Sequence, residues 1–115
     1  MNPFIFVYGT LKRGHKNPVA RHFHLHAEWI GTGKFAGTIK HLGEYPAAIF
    51  DPAAESFVHG EIFKMNDPFS LLKILDHYEG IGPEFPLPHE YIRATCPVTM
   101  EGKTIDCWVY LFNRN

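Results

Sequence analysis

Short apolar runs, bounded by glycine or by polar residues, dominate the chain and predict a protein built mainly from β-strands. The first run lies within residues 3–9, is rich in β-branched and aromatic residues and stops at Gly9, as a buried strand does. Residues 90–100 and 103–112 flank the turn "EGK" and predict a closing hairpin. Three more extended segments contain glycines that indicate bends or bulges of a curved sheet. They cover residues 27–42, 45–50 and 57–65.

The spacing of apolar positions changes to a helical period in two places. A short helix is expected directly after Asn17. A longer helix is expected within residues 66–80, with Asn66 or Asp67 as its cap and Gly80 at its end. Strands, one main helix and further strands predict an α+β fold with a curved, barrel-like sheet. The apolar stripe of the main helix consists of Leu71, Leu72, Leu75 and Tyr78.

Length and charge narrow the range of functions. A chain of 115 residues, 45% of them hydrophobic, fits one domain spanning residues 1–115. A formal net charge of −1 argues against a polyanion binder, so nucleic acid is not an expected partner. The first apolar run lacks a cationic segment before it and is too short to cross a bilayer, so we expect no membrane association. Cys96 and Cys107 flank the hairpin turn and can face each other, but a reduced, cytoplasmic protein is the simpler interpretation.

The stretch "FVYGTLKRG", residues 6–14, resembles the first half of a phosphate-binding P-loop. The resemblance ends after Gly14, because His15 and Lys16 stand where a P-loop has Lys and Ser or Thr. Backbone N–H groups at a strand-to-loop turn can also converge on an anionic oxygen. The alternative is that Gly9 and Gly14 only end a strand and shape a turn.

Glu79 places a carboxylate on a stripe that otherwise points to the core. It follows Leu72 by seven residues and Leu75 by four. Burial and the helix C-terminus both disfavour its ionised form, so its pKa is expected to be raised, as in a general base that works near neutral pH. A structural carboxylate at a helix end is the competing interpretation. Asp76 lies on a neighbouring stripe and is expected to cap or to orient local structure.

Two further features were candidates for chemistry. His22, His24 and His26 share a face if the segment "HFHLH" is extended, whereas only His22 and His26 share one if it is helical. A metal site is conceivable there, but no carboxylate pattern accompanies the histidines, and a solvated or packed cluster is favoured. Arg93 can pair with a carboxylate, although the wet face of a strand is the usual place for such an arginine.

Five motifs in order give the chain a resemblance to the gamma-glutamylcyclotransferase-like family, which includes small bacterial members and gamma-glutamylamine cyclotransferases. They are "VYGTLKRG", "YPAAIF", "LDHYEG", "EYIRATCPV" and "CWVYLF", and they span nearly the whole chain. The resemblance implies a small mixed β-barrel with flanking helices and a cavity between the "YGTL" loop and the glutamate of "LDHYEG". No metal and no cofactor are implied.

The same resemblance implies roles for particular residues. Glu79 would be the catalytic acid and base, and Tyr110 in the last strand would line the cavity. Some family members have Ser where this chain has Thr10, a change that keeps a hydroxyl group. The loop that binds the glutamyl part of a substrate would consist of Tyr8, Gly9, Thr10 and Leu11.

The implied activity is a cyclotransferase that converts a gamma-glutamyl amine or gamma-glutamyl peptide to 5-oxoproline and a free amine. Two other classes stay open: a non-catalytic module that binds a small molecule in the same cavity, and an interaction domain. The oligomeric state also stays open. Residues 80–91 are a candidate lid with an apolar lining from Phe85, Leu87 and Tyr91. Such a lining would suit the alkyl stem of a gamma-glutamyl amine, or the side chain of a gamma-glutamyl dipeptide, better than the second carboxylate of glutathione. Alternatively, the prolines of this segment only stiffen a connection.

Overall fold

A computed structural model describes residues 1–114, which form six strands and two helices. All of the elements predicted from the hydrophobic pattern are present. In chain order they are β1 (Phe4–Val7), α1 (Pro18–His26), β2 (Ala27–Leu42), β3 (Tyr45–Phe50), β4 (Phe57–Met65), α2 (Pro68–Tyr78), β5 (Tyr91–Met100) and β6 (Lys103–Phe112).

The six strands form one sheet that closes on itself. Their order is β1-β4-β2-β3-β6-β5, and β1 also pairs with β6, while β2 also pairs with β5. Most pairs are antiparallel, but β6 runs parallel to both β1 and β3, so the barrel is mixed. The predicted α+β fold, a small mixed β-barrel with flanking helices, is confirmed.

β2 is the longest strand, and it pairs with three other strands along its length. Its first part pairs with β4, its last part pairs with β3, and Lys34 lies opposite Thr99 of β5. The register with β4 shifts between Trp29 and Gly31. This irregularity is the kind of bend that the glycines of the segment predicted, and it lets one strand follow a closed, curved sheet.

Successive side chains of a strand point to opposite faces of the sheet, and the two faces pack into separate hydrophobic cores. In β1, Phe6 faces a core enclosed by the sheet, whereas Ile5 and Val7 face the opposite core, which the helices cover. The stripe residues Leu71, Leu72 and Leu75 of α2 lie in the helix-covered core, as do Ala20 and Phe23 of α1. The end of β1 therefore lies between the barrel and both helices.

The last two strands form the predicted hairpin. Glu101 and Gly102 both have positive φ, +50° and +78°, as a two-residue type I′ turn requires. Cys96 pairs in register with Cys107 across the hairpin, as predicted; both are buried and carry free thiols. Burial raises the pKa of Cys96 to about 11 and that of Cys107 to about 12, so neither is activated as a nucleophile.

Side-chain caps fix where both helices begin. The Asn17 side chain accepts a hydrogen bond from the Ala20 N–H in α1, and Asp67 does the same for Ser70 in α2. Asp67, not Asn66, is thus the cap of the main helix. Across residues 1–114, neither helix combines the length and the apolar character needed to cross a bilayer.

Candidate active site

A cavity of about 240 Å³ opens where β1 ends, between the loop after β1 and the last turn of α2. All six residues that the sequence singled out for a site line it, namely Tyr8, Gly9, Thr10, Leu11, Glu79 and Tyr110. Residues separated by most of the chain therefore share one wall. The remaining lining residues are Phe6, Val7, Tyr45, Pro46, Tyr78, Glu90 and Tyr91.

Glu79 caps the C-terminus of α2, where a Schellman motif ends the helix. The N–H of Gly80 bonds to the His77 carbonyl and that of Ile81 bonds to the Asp76 carbonyl, at 3.0 and 2.9 Å. Gly80 has φ of +75°, which a glycine adopts without strain, and it ends the helix where the sequence predicted.

The carboxylate of Glu79 has no hydrogen-bond or ion-pair partner among residues 1–114. Its pKa rises from 4.5 to about 7, because burial removes water from the charged form. The predicted direction of this pKa shift is therefore confirmed. A carboxyl group in this state is present in both protonation forms near neutral pH, and it can accept a proton as well as donate one.

The loop after β1 forms one wall of the cavity. Within the described chain, the N–H groups of Gly9, Thr10 and Leu11 have no protein acceptor. Asn17 Nδ2 donates to the Thr10 carbonyl at 3.2 Å, and His24 Nε2 donates to the Leu11 carbonyl at 2.7 Å. Because the N–H and C=O of a trans peptide point in opposite directions, α1 holds these carbonyls and leaves the Leu11 N–H on the other side.

Two tyrosines of the site, Tyr8 and Tyr91, bond to backbone groups of other strands through their hydroxyl groups. The Tyr8 hydroxyl donates to the Tyr110 carbonyl and accepts from the Ala48 N–H, so Tyr8 lines the cavity with its ring while its proton is already bonded. The Tyr91 hydroxyl donates to the Pro46 carbonyl at 2.8 Å. Burial raises the pKa of Tyr8 and of Tyr110 above the ordinary value and that of Tyr91 to about 12, so all three stay neutral.

Arg93 and Asp76 form an ion pair beside the cavity. Arg93 Nε lies 2.8 Å from Asp76 Oδ1, and its Nη2 lies 3.3 Å from Oδ2. The Tyr110 hydroxyl donates to the same Asp76 Oδ1 at 2.7 Å. The expectation that Arg93 lies on a wet strand face was wrong, because its side chain is only 22% exposed. Asp76 orients local structure, as predicted.

The segment after α2 does not provide the predicted apolar lid. Phe85 packs on the ring of His77 with centroids 5.1 Å apart, and Leu87 is 81% exposed, so neither lines the cavity. Tyr91 does line it, and so does Glu90. The contribution of the segment to the wall is therefore one aromatic ring and one acidic residue.

Tyr78 was misassigned, and the wall residues that β3 contributes were not identified. Tyr78 was placed on the core stripe of α2, but it is 37% exposed, and its hydroxyl lies 2.9 Å from Thr10 Oγ1 at the edge of the cavity. Tyr45 and Pro46 of β3 also line the cavity. The signal was available, because all three lie within the motifs "YPAAIF" and "LDHYEG".

The histidine segment is helical, so His22 and His26 share one face of α1 and His24 lies on another. The rings of His22 and His26 are in contact, with centroids 4.3 Å apart and planes tilted by 41°, whereas His24 points to the Leu11 carbonyl. No group of three or more His, Cys, Asp or Glu side chains is arranged to hold a metal ion in the part of the chain that the structure describes. His24 instead supports the loop of the cavity.

Fold and cavity together define a small α+β barrel protein whose pocket has the desolvated carboxyl group of Glu79 and the loop after β1 in its wall. Residues 5–115 match the family model described as "Gamma-glutamyl cyclotransferase, AIG2-like". The chain belongs to this family.

Individual relatives agree with this assignment. The Drosophila melanogaster protein named "Putative gamma-glutamylcyclotransferase CG2811" is 30% identical over 122 residues, which cover 96% of this chain and 69% of the relative. An AIG2-like protein from Mus musculus has 30% identity and a TM-score of 0.72, over 95% of this chain and 76% of that one. YkqA from Bacillus subtilis shares the fold, with a TM-score of 0.72 at 22% identity, but this chain spans only 36% of its length.

Proposed function

We propose that this protein is a cyclotransferase that converts a gamma-glutamyl amine or gamma-glutamyl peptide to 5-oxoproline and the free amine. The observation that supports it most directly is Glu79, a desolvated carboxylate with a pKa of about 7 and no partner among the described residues. A carboxylate buried without a partner costs free energy, so its presence in a cavity is explained better by proton transfer than by stability.

In the proposed reaction, the α-amine of the substrate attacks the γ-carbonyl carbon of the same glutamyl group. Glu79 accepts a proton from the amine, the new C–N bond closes the five-membered ring, and the carbonyl oxygen becomes an oxyanion. The bond to the leaving nitrogen then breaks as Glu79 returns the proton to it. Nucleophile and electrophile are in one molecule, so the cavity has to fold the substrate and exclude other conformations.

The loop after β1 supplies the electrostatic part of the mechanism. The free N–H groups of Gly9, Thr10 and Leu11 are suitable donors to the α-carboxylate of the substrate or to the developing oxyanion. Tyr8 and Tyr110 contribute walls, since their hydroxyl protons are already bonded within the protein.

The charge of the cavity indicates which leaving groups it accepts. Glu79 and Glu90 are the ionisable carboxyl groups of the wall, and no Lys, Arg or His is among the lining residues that the structure describes. A second substrate carboxylate, such as that of glutathione, would find no cation there. We therefore propose gamma-glutamyl amines as better substrates than glutathione.

The test is 5-oxoproline release from a panel of gamma-glutamyl amines, gamma-glutamyl dipeptides and glutathione. Glu79→Gln should lower turnover by about 10²–10⁴-fold, because the amide cannot carry the proton. Glu84→Gln is a matched control, since Glu84 follows the same helix but is outside the cavity wall and pairs with His77. An active Glu79→Gln protein would contradict the mechanism. Wild-type protein that binds these compounds without converting them would be a binding module.

A further inference from the structure

Asp76 is one helical turn before Glu79 on α2, and it makes three contacts to the closing hairpin. Its Oδ1 accepts from Arg93 Nε at 2.8 Å and from the Tyr110 hydroxyl at 2.7 Å, and its Oδ2 accepts from Arg93 Nη2 at 3.3 Å. Arg93 belongs to β5 and Tyr110 to β6, and they are opposite each other in the register of the hairpin. The three side chains thus connect the last turn of α2 to both strands.

The ion pair of Arg93 and Asp76 is largely withdrawn from water. The side chains of Arg93 and Asp76 are 22% and 23% exposed, so each charge is largely withdrawn from water and needs the other. The Arg93 guanidinium also lies over the ring of Trp108, 4.5 Å from its centroid. Two of the bonds are bidentate Arg–carboxylate bonds, which fix orientation as well as distance.

Neither Asp76 nor Arg93 lines the cavity, so neither is placed to contact a substrate there. Asp76 precedes Glu79 by three residues on the same helix, so an effect of the ion pair on the reaction would reach the cavity through Glu79. The groups that face Glu79 from the packed elements are Tyr8 at the end of β1, Tyr91 of β5 and Tyr110 of β6, and Glu90 lies in the same cavity wall. The three tyrosines are neutral near pH 7, and Glu90 is exposed, so water screens it from Glu79.

We propose that Asp76 is a positioning residue for Glu79: it holds the last turn of α2 on the hairpin and neutralises Arg93 beside the cavity. The proposal rests on the function proposed for Glu79. The pairing matters because an unpaired guanidinium next to the cavity would stabilise the Glu79 carboxylate and weaken it as a base, while an unpaired Asp76 would do the opposite.

Three variants give results of different sign. Asp76→Asn is close to isosteric and leaves Arg93 unpaired, so the pKa of Glu79 should fall by about one pH unit. Arg93→Gln leaves Asp76 unpaired, so the pKa of Glu79 should rise. The double variant Asp76→Asn with Arg93→Gln removes both charges and should return the pKa toward that of the wild type.

The measurement is an NMR titration of the Glu79 carboxyl carbon, identified as the resonance missing from Glu79→Gln. It needs no substrate, so its result is independent of whether the protein releases 5-oxoproline. In the assay, Asp76→Asn should lower kcat about tenfold with a smaller change in KM, and the acid limb of its pH profile should move to lower pH with the titration.

A role in stability alone would lower the melting temperature of Asp76→Asn without moving the pKa of Glu79, and that result would overturn the proposal. Should Asp76→Asn fail to fold, Arg93→Gln decides, because an unchanged or lowered Glu79 pKa there contradicts it. Suppose that wild type releases no 5-oxoproline, while the pKa of Glu79 falls in Asp76→Asn and rises in Arg93→Gln as predicted. That result would refute the cyclotransferase and leave the coupling of Asp76 to Glu79 in place.

Discussion

At the scale of single residues, Glu79 lies where its ionised form destabilises the folded protein. The carboxylate continues a stripe of leucines, and burial alone accounts for its raised pKa. That consequence was predictable from the spacing of Leu72, Leu75 and Glu79, because a helix places such positions on one face. Its surroundings were not predictable, since they come from distant strands.

The pH dependence of stability should reveal this cost. A carboxyl group with a raised pKa in the folded state stabilises the fold below its unfolded pKa of 4.5, and this contribution is lost as the pH rises through about 7. Glu79→Gln should therefore unfold like wild type near pH 4 and be more stable by about 2–3 kcal/mol above pH 8. Urea unfolding at a series of pH values measures the difference. Equal stability of the two proteins at pH 8 would show that Glu79 is not desolvated.

Gly9 offers a test of the loop at the same scale. Its φ is not positive, and a Cβ added there would meet only Pro46 Cγ, at an ordinary 3.5 Å, so neither backbone strain nor crowding requires glycine. Pro46 is itself part of the cavity wall.

Gly9→Ala should therefore fold normally and lose substrate binding. We expect a melting temperature within a few degrees of wild type, and a KM about tenfold higher, because the new methyl group occupies the wall beside the free N–H groups. Gly43→Ala is a contrasting control, since Gly43 has φ of +61° and is outside the cavity, so it should lose stability and keep its KM. A Gly9→Ala protein with unchanged KM would remove the loop from the binding site.

At the scale of elements, the hydrophobic pattern predicted every helix and strand, although some apolar helix residues, such as Leu25 and Phe69, are exposed. It failed where an element ends. Tyr78 fits the period of α2, but the helix stops there and the ring reaches the cavity edge instead of the core. Phe85 and Leu87 were assigned to the site by composition, which does not specify the direction of a loop.

The start of α1 connects an element to the site. Asn17 Oδ1 caps the helix by accepting from the Ala20 N–H, while its Nδ2 donates to the Thr10 carbonyl. Asn17→Asp keeps the cap acceptor but replaces the donor with a second oxygen, which repels that carbonyl. Stability should therefore change by less than about 1 kcal/mol while KM rises several-fold.

Calorimetry and 5-oxoproline kinetics on Asn17→Asp separate the two effects. Asn17→Ala is the comparison, because it loses both the cap and the donor and should be less stable by about 1 kcal/mol. If Asn17→Asp bound substrate as tightly as wild type, the Asn17 side chain would have no role in orienting the loop.

At the scale of the whole molecule, the cavity exists because the barrel closes. The Tyr8 hydroxyl meets the Tyr110 carbonyl across 102 positions of sequence, and Thr10 meets Tyr78 across 68. The parallel pairing of Ile5 with Trp108 brings the first and last strands together. Strand register of this kind is set by packing throughout the sheet and cannot be read from one segment, so the cavity itself came into the prediction only through resemblance to a family.

The closed barrel also fixes the sign of charge that a leaving group meets. With Glu79 and Glu90 in the wall and no basic side chain among its described residues, gamma-glutamyl compounds of similar size should react in the order of tail charge. A diamine tail with a free cation should give the highest kcat/KM, a neutral alkylamine an intermediate one, and a carboxylate-bearing tail the lowest.

Glu90 is exposed, so its contribution to this preference should be modest. Glu90→Gln should reduce the preference for the cationic tail by about 3–5-fold, and the preference itself should weaken with added salt. Competition between the three substrates, followed by 5-oxoproline and by each released amine, measures this order directly. A carboxylate-bearing tail preferred by wild type would mean that a cation outside the cavity wall binds the leaving group, and the assignment of Glu90 to substrate selection would be wrong.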